Sequence, residues 1–214
     1  QGITLRLGRE PFDMFTGKVL AYRRRLDMAA GTTGRTVHWL SPGKAEVIVE
    51  SRRMASFARL PLFFMEYKVT SVNFAGPLTF TSTHQGSVHN YSNPDDPRVA
   101  ADSVQHLQPH SADIAHGASV LTSTTARSGL TVCTAAAHRL SKACKETLQL
   151  FGHRGEFTAQ TTLSPGETVT LYKYCAFTDS LRHDNCSDTA QTVLREAVEA
   201  GAQALYQEQR RYLD

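Results

Sequence analysis

Apolar and polar residues alternate with a period of two along most of the chain, the pattern of strands that bury one face. Alternating or apolar runs cover residues 3–7, 18–22, 35–40, 45–50, 62–70, 78–83, 118–124, 130–136, 146–151, 156–163 and 168–178. Turn residues separate them. Ser41-Pro42-Gly43 divides the run ending at Leu40 from the one beginning at Ala45, with proline and glycine at the positions a tight turn requires. This predicts a hairpin with Trp39 and Val47 near its closed end, and Trp39 facing inward with Val37. Gly76-Pro77, Ser128-Gly129, residues 152–155 and Ser164-Pro165-Gly166-Glu167 mark further turns.

Two segments depart from that rhythm. Residues 86–117 are long, polar and histidine-containing, with Asn93-Pro94-Asp95-Asp96-Pro97 forcing turns. They read as an extended loop longer than strand connection needs, and so as the domain's main functional surface. After residue 187 the period becomes helical. Asp188 and Gln191 have capping-box spacing, and Ala190, Val193, Leu194, Ala197, Ala204 and Leu205 predict a helix over about 189–211. Ten or eleven strands and a terminal helix imply an all-β fold, an antiparallel β-sandwich with a helical exit. The expected division is a sandwich over 1–187 and an exit helix over 188–214. No internal repeat is visible.

Composition narrows the function classes. The chain of 214 residues is 41% hydrophobic and 20% charged, a globular balance. Its 23 basic and 20 acidic residues leave a net charge of +3. The densest basic run is only Arg23-Arg24-Arg25, so neither charge nor pattern points to nucleic acid. The longest apolar run, 60–65, is far shorter than the roughly 20 residues a spanning helix needs, which argues against a membrane partner. The four cysteines, Cys133, Cys144, Cys175 and Cys186, form no C-x-x-C pair. They read as reduced thiols of a cytoplasmic protein.

Three stretches, in order, resemble the N-terminal domain of glycoside hydrolase family 65. The first runs from Tyr22-Arg23-Arg24-Arg25-Leu26-Asp27-Met28 to Gly34-Arg35-Thr36-Val37-His38-Trp39. It is similar to the family's R-x-L-D-M strand end and the following strand with an arginine and a tryptophan. The second is Glu50-Ser51-Arg52-Arg53-Met54-Ala55-Ser56, followed by Glu66-Tyr67-Lys68-Val69-Thr70, like the family's R-x-x-S and Y-x-V/I-T patterns. The third spans 163–179, where Pro165-Gly166-Glu167 leads into a last strand and then a helix. The resemblance implies a supersandwich of galactose mutarotase-like type. It also implies a parent enzyme, a phosphorylase or hydrolase of α-linked glucose disaccharides such as maltose, trehalose or kojibiose. In that family a further set of strands with a glycine-rich segment comes first, and an (α/α)₆ barrel with the catalytic glutamate follows the linker helix. The chain shows no counterpart of either, so it is expected to be an inactive piece whose partners are its own catalytic domain, the disaccharide held by the full enzyme, and a second copy in a homodimer.

No residue is therefore assigned as catalytic, cofactor-binding or metal-ligating, and no cofactor is expected. Glycoside cleavage needs two carboxylates, or one acid and an external nucleophile. The loop carboxylates Asp95, Asp96, Asp102 and Asp113 sit beside asparagine and proline and read as turn formers. Asp27 reads as a structural acceptor of turn hydrogen bonds or a partner for an arginine. His84, His89, His106, His110 and His116 read as exposed loop histidines. His106 and His110 have helical spacing for a metal, but Pro109 breaks a helix there. Two alternatives stand beside the accessory-domain reading: an independent carbohydrate-binding module, needing exposed aromatics, and a mutarotase-like epimerase, needing a histidine beside a carboxylate.

Overall fold

The computed structural model describes residues 2–98 and 105–214. They form two antiparallel sheets and one long helix. The strands are β1 Gly2–Leu7, β2 Glu10–Pro11, β3 Lys18–Asp27, β4 Thr32–Leu40, β5 Glu46–Ala55, β6 Leu62–Ser71, β7 Gly76–Gln85, β8 Leu107–Ala115, β9 Ala118–Thr125, β10 Thr131–Leu140, β11 Lys145–Phe151, β12 Arg154–Leu163 and β13 Thr168–Asp179, followed by α1 Cys186–Leu213. The smaller sheet runs β11-β12-β7-β1-β2 and the larger β3-β4-β5-β6-β13-β10-β9-β8. The all-β sandwich with a C-terminal helix is thus the observed architecture.

The larger sheet is covered on both faces. Its inner face meets the smaller sheet through Val37, Trp39, Val47, Val69 and Leu171, which pack with Leu5, Leu78, Phe80 and Phe157. Part of its outer face carries α1, which sets Ala190, Leu194, Ala197 and Leu205 on Phe64, Ala135 and Tyr174. This explains why 131–140 and 168–179 read as nearly continuous apolar runs rather than as clean alternation.

The hairpin forms as expected, with Trp39 opposite Val47. Trp39 is completely buried, its indole N–H donating to the Asp13 carbonyl at 3.0 Å and Phe12 meeting it edge-on. The turn is built differently from the sequence expectation. The left-handed residue is Lys44 (φ 71°), while Gly43 is required because a Cβ there would lie 2.6 Å from the Glu10 carboxylate, which accepts the Gly43 N–H.

Three other expectations are corrected. Residues 86–117 are not one structureless loop: residues 107–115 form β8, an edge strand paired to β9, whose register shifts beside Pro109. Proline there is tolerated because an edge strand leaves one side unpaired. The helix starts earlier, at Cys186, because Asn185 is the cap and accepts the Asp188 N–H. Gln191 turns instead to Ser187. The helix is also interrupted at Gly201 (φ 75°), which lets its last turns follow the sheet toward Gly31 and Phe57. Among the described residues no helix is long and apolar enough to cross a membrane.

Candidate functional site

The residues of the first two motif stretches lie together on β3–β6. Strand alternation sends Arg25, Asp27, Glu50, Arg52, Glu66 and Lys68 to the outer face, beyond the part that α1 covers. Glu50 stands opposite Lys68, and Arg52 opposite Glu66, so opposite charges face each other across neighbouring strands. Gly34 sits among them with no side chain, and a Cβ there would meet nothing closer than the Ser51 carbonyl at 4.0 Å. The result is a polar hollow of about 380 Å³. At its border with the helix the Tyr206 hydroxyl donates to Glu66 at 3.2 Å, and the Arg52 guanidinium lies 3.7 Å from the Tyr206 ring centre. Burial, with the Glu66 charge adding to it, pushes the Tyr206 phenol far above its usual range.

Asp27 closes one end of this hollow. Its carboxylate accepts the Ala30 N–H at 3.0 Å and meets Arg25 at 2.9 Å. The structural role expected for it is therefore the one observed, with Arg25 as its arginine. The hollow can dock a charged, hydrogen-bonding surface. Glu66 is engaged by Tyr206 and by Lys68 at 3.8 Å, so it is committed to local pairing rather than held free as an acid.

On the inner side, where the smaller sheet ends, a cavity of about 640 Å³ opens between β1, residues 12–15 and β4–β6. Arg35 reaches into it and donates to the Met14 sulfur at 3.1 Å. Tyr67 lines it, and burial pushes its phenol up to about 12 against the pull of Arg35 and Arg53.

The third polar assembly is closed. Ser82 and His84 on β7 face Ser119 on β9, Thr134 and His138 on β10, and Lys173 on β13. Lys173 Nζ donates to Ser82 Oγ at 2.8 Å and to the Thr83 carbonyl at 3.1 Å. His138 Nε2 is 2.8 Å from the same Ser82 Oγ. His84 places one ring nitrogen 2.8 Å from Ser119 Oγ and the other 2.8 Å from Thr134 Oγ1. Lys173 is 1% exposed and His84 2%. Burial, reinforced by the Lys173 charge, lowers His84 to about 4 and holds His138 well below the usual histidine range. Burial also lowers the Lys173 ammonium.

The sequence-selected side chains scatter. His84 is corrected from exposed loop to buried strand residue. His89, His106, His110 and His116 are exposed, His110 on β8 and His116 at the β8–β9 turn with φ 50°. Asp95 and Asp96 lie in a turn, where Asn93 accepts the Asp95 N–H at 3.1 Å and Arg98 pairs with Asp96 at 2.9 Å. Asp102 lies outside the described residues, and Asp113 is exposed on β8. A histidine–carboxylate pair exists elsewhere, His38 to Glu46 at 2.6 Å, outside the residues lining the hollow. Sequence reading missed Lys173, His138 and Tyr206. The available signal was phase: Ser82 and His84 continue the inward series Leu78, Phe80, and Lys173 follows Leu171.

Known proteins give this geometry its context. The chain is 32% identical over 176 residues to an α,α-trehalose phosphorylase of Geobacillus stearothermophilus, covering 81% of this chain and 22% of that protein. It is 31% identical over 219 residues to an uncharacterized glycosyl hydrolase of Mycobacterium tuberculosis, covering 98% of this chain and 27% of that protein. A solved structure described as "Putative kojibiose phosphorylase from human microbiome" superposes with a TM-score of 0.80 at 16% identity over 99% of this chain and 27% of its own, which shows the shared fold. The chain thus spans about a quarter of the length of these relatives. The family model for the glycosyl hydrolase family 65 N-terminal domain matches residues 1–214, and the chain belongs to that family.

Proposed function

We propose that this chain serves as the non-catalytic N-terminal domain of a glycoside phosphorylase or hydrolase acting on α-linked glucose disaccharides. The single observation that carries the reading is the match of residues 1–214 to the N-terminal domain of family 65, in a chain about a quarter as long as its relatives. The relatives named for trehalose and kojibiose phosphorolysis supply the substrate class. The domain supports a catalytic barrel, shapes access of the disaccharide and contributes to contacts between two copies. The outer hollow around Gly34 suits such support, because it lies beside the last turns of α1 and offers paired charges to a polar surface. Four cysteines outside any disulfide, three of them buried, support work in the cytoplasm.

The carbohydrate-binding alternative loses its main stacking residue, since Trp39 is in the core. An epimerase would act through His38 and Glu46, which lie apart from the hollow.

The test is enzymatic. The purified chain is incubated with maltose, trehalose and kojibiose, with and without inorganic phosphate. No glucose 1-phosphate or glucose is expected above a blank. Release of either sugar at a rate proportional to protein would overturn the non-catalytic assignment, and faster mutarotation of α-glucose would favour the epimerase.

A further inference from the structure

The buried assembly of Lys173, His138 and His84 joins the two sheets, and its chemistry is that of a proton-sensitive tie. Each of its bonds except that from His84 to its own hydroxyl partners involves Ser82 or Thr83, so β7 is held to β9, β10 and β13 over a few residues at its C-terminal end. The same end leads through Gly86, whose N–H donates to the His153 carbonyl at 2.8 Å, into the segment before β8.

A neutral His84 is fully satisfied here, and a neutral His138 is satisfied at one ring nitrogen. The ring of His84 lies between two hydroxyls, each able to donate or accept, so one N–H and one lone pair are both used. Ser82 Oγ accepts from Lys173 and can give its own hydrogen to His138 Nε2. The Nδ1 of His138 is buried with no partner. A proton from solvent on His138 would put a second donor on Ser82 Oγ and a positive charge directly opposite Lys173, its cross-strand partner.

Among the described residues, no carboxylate nearby offsets that charge. Around the tie, β6 contributes Met65 and Tyr67, β13 contributes Lys173 and Cys175, β10 contributes His138, and β7 contributes His84. The β12 positions facing the tie are Gly155 and Phe157, and the β9 position is Ser119. His153 lies at the adjoining turn, its Nδ1 buried and unpartnered. The inward positions of these strands hold no aspartate or glutamate. Arg154 and Glu156, which alternate to the other face of β12, pair with each other at 3.1 Å.

We propose that the Lys173–Ser82–His138 and His84–Ser119–Thr134 bonds form an acid-released clasp between the sheets, whose opening frees the C-terminal end of β7 while the apolar half around Trp39 stays closed. The two halves separate along β7: Leu78 and Phe80 belong to the apolar half, Ser82 and His84 to the clasp. Burying a second positive charge is costly enough to drive the local separation, because desolvation without a counter-charge is the most unfavourable state open to an ionisable group.

The experiment is hydrogen–deuterium exchange of the purified chain at about pH 7 and about pH 5, corrected for the intrinsic pH dependence of exchange, with Trp39 fluorescence followed in parallel. Amides of residues 82–86, 118–120 and 134–138 should exchange about tenfold faster, after correction, at the lower pH. The Trp39 emission maximum should not move. His84→Gln keeps a donor and an acceptor but cannot titrate, and Lys173→Met removes the resident charge, so each should cut that acceleration to about threefold or less. Equal protection of these amides at both pH values would overturn the clasp. So would an acceleration unchanged in Lys173→Met, or an opening in which Trp39 becomes exposed together with the clasp. If His84→Gln does not fold, the wild-type exchange and Lys173→Met still decide.

Discussion

The two halves of the space between the sheets are built on opposite principles. Around Trp39 and Phe80 the contact is apolar, and stability comes from burying area that water would otherwise cover. Around Lys173 and His138 it consists of directed bonds among polar groups, which contribute little net stability when satisfied and cost much when disturbed. The apolar half tolerates changes of pH but not of volume. The polar half depends on the protonation of His84 and His138 under the proposal above, and replacing one of its members leaves the others unpaired. The same strands, β7 and β13, run through both, so the difference comes from which residues occupy the inward phase rather than from the backbone.

The largest expected effect breaks the apolar half. Trp39→Ala should lower unfolding free energy by about 3–5 kcal/mol, because the ring fills the core and its indole N–H holds the Asp13 carbonyl. A urea midpoint unchanged within error would show that the ring carries no packing load.

Acid tests the polar half. His84 falls from the ordinary 6.5 to about 4 in the folded chain, so between those values the unfolded chain binds more protons. Its contribution is fully present above pH 6.5 and is lost as pH falls toward 4. Unfolding free energy should decline by up to about 1.4 kcal/mol per pH unit for this one group in that window. Urea titrations at several pH values measure the slope, and His84→Gln should flatten it.

Smaller effects sharpen the comparison by touching neither half. Arg59 grips Glu208 of α1 with two bonds, at 2.8 and 2.9 Å, and Arg59→Ala should cost about 1 kcal/mol by thermal denaturation. Asp27→Ala removes a turn acceptor and an exposed pair with Arg25, and should cost less than about 1 kcal/mol. It should leave the acid slope unchanged, because Asp27 lies on the outer face.

Most strands were legible because residues inward of a sandwich repeat every second position and glycine–proline turns punctuate them. Strand β8 escaped because an edge strand with a proline, a histidine and an aspartate carries polar residues on both faces. Asn185 was missed as the helix cap because Asp188 and Gln191 offer an equally spaced alternative three residues later. Of the candidate chemistry, Asp27 was readable, since a strand-end aspartate just before a glycine turn and near an arginine has few roles, although the arginine it meets is Arg25 and not Arg35. His84 was misread because a histidine next to a polar run looks like part of it. Only its phase with Leu78 and Phe80 separates the two.

Periodicity, turn residues and ordered motifs therefore determine the sandwich, the hairpin around Trp39, the terminal helix and the family, because these depend on local spacing along the chain. The pairing of Arg52 with Tyr206 and the meeting of Lys173 with Ser82 were decided only by the tertiary structure. Both join residues far apart in sequence, and nothing in local spacing says which inward position of one sheet will face which of the other. Strand order and the stacking of the two sheets bring Lys173 within 2.8 Å of Ser82, and it is that placement, not the lysine itself, that makes the site.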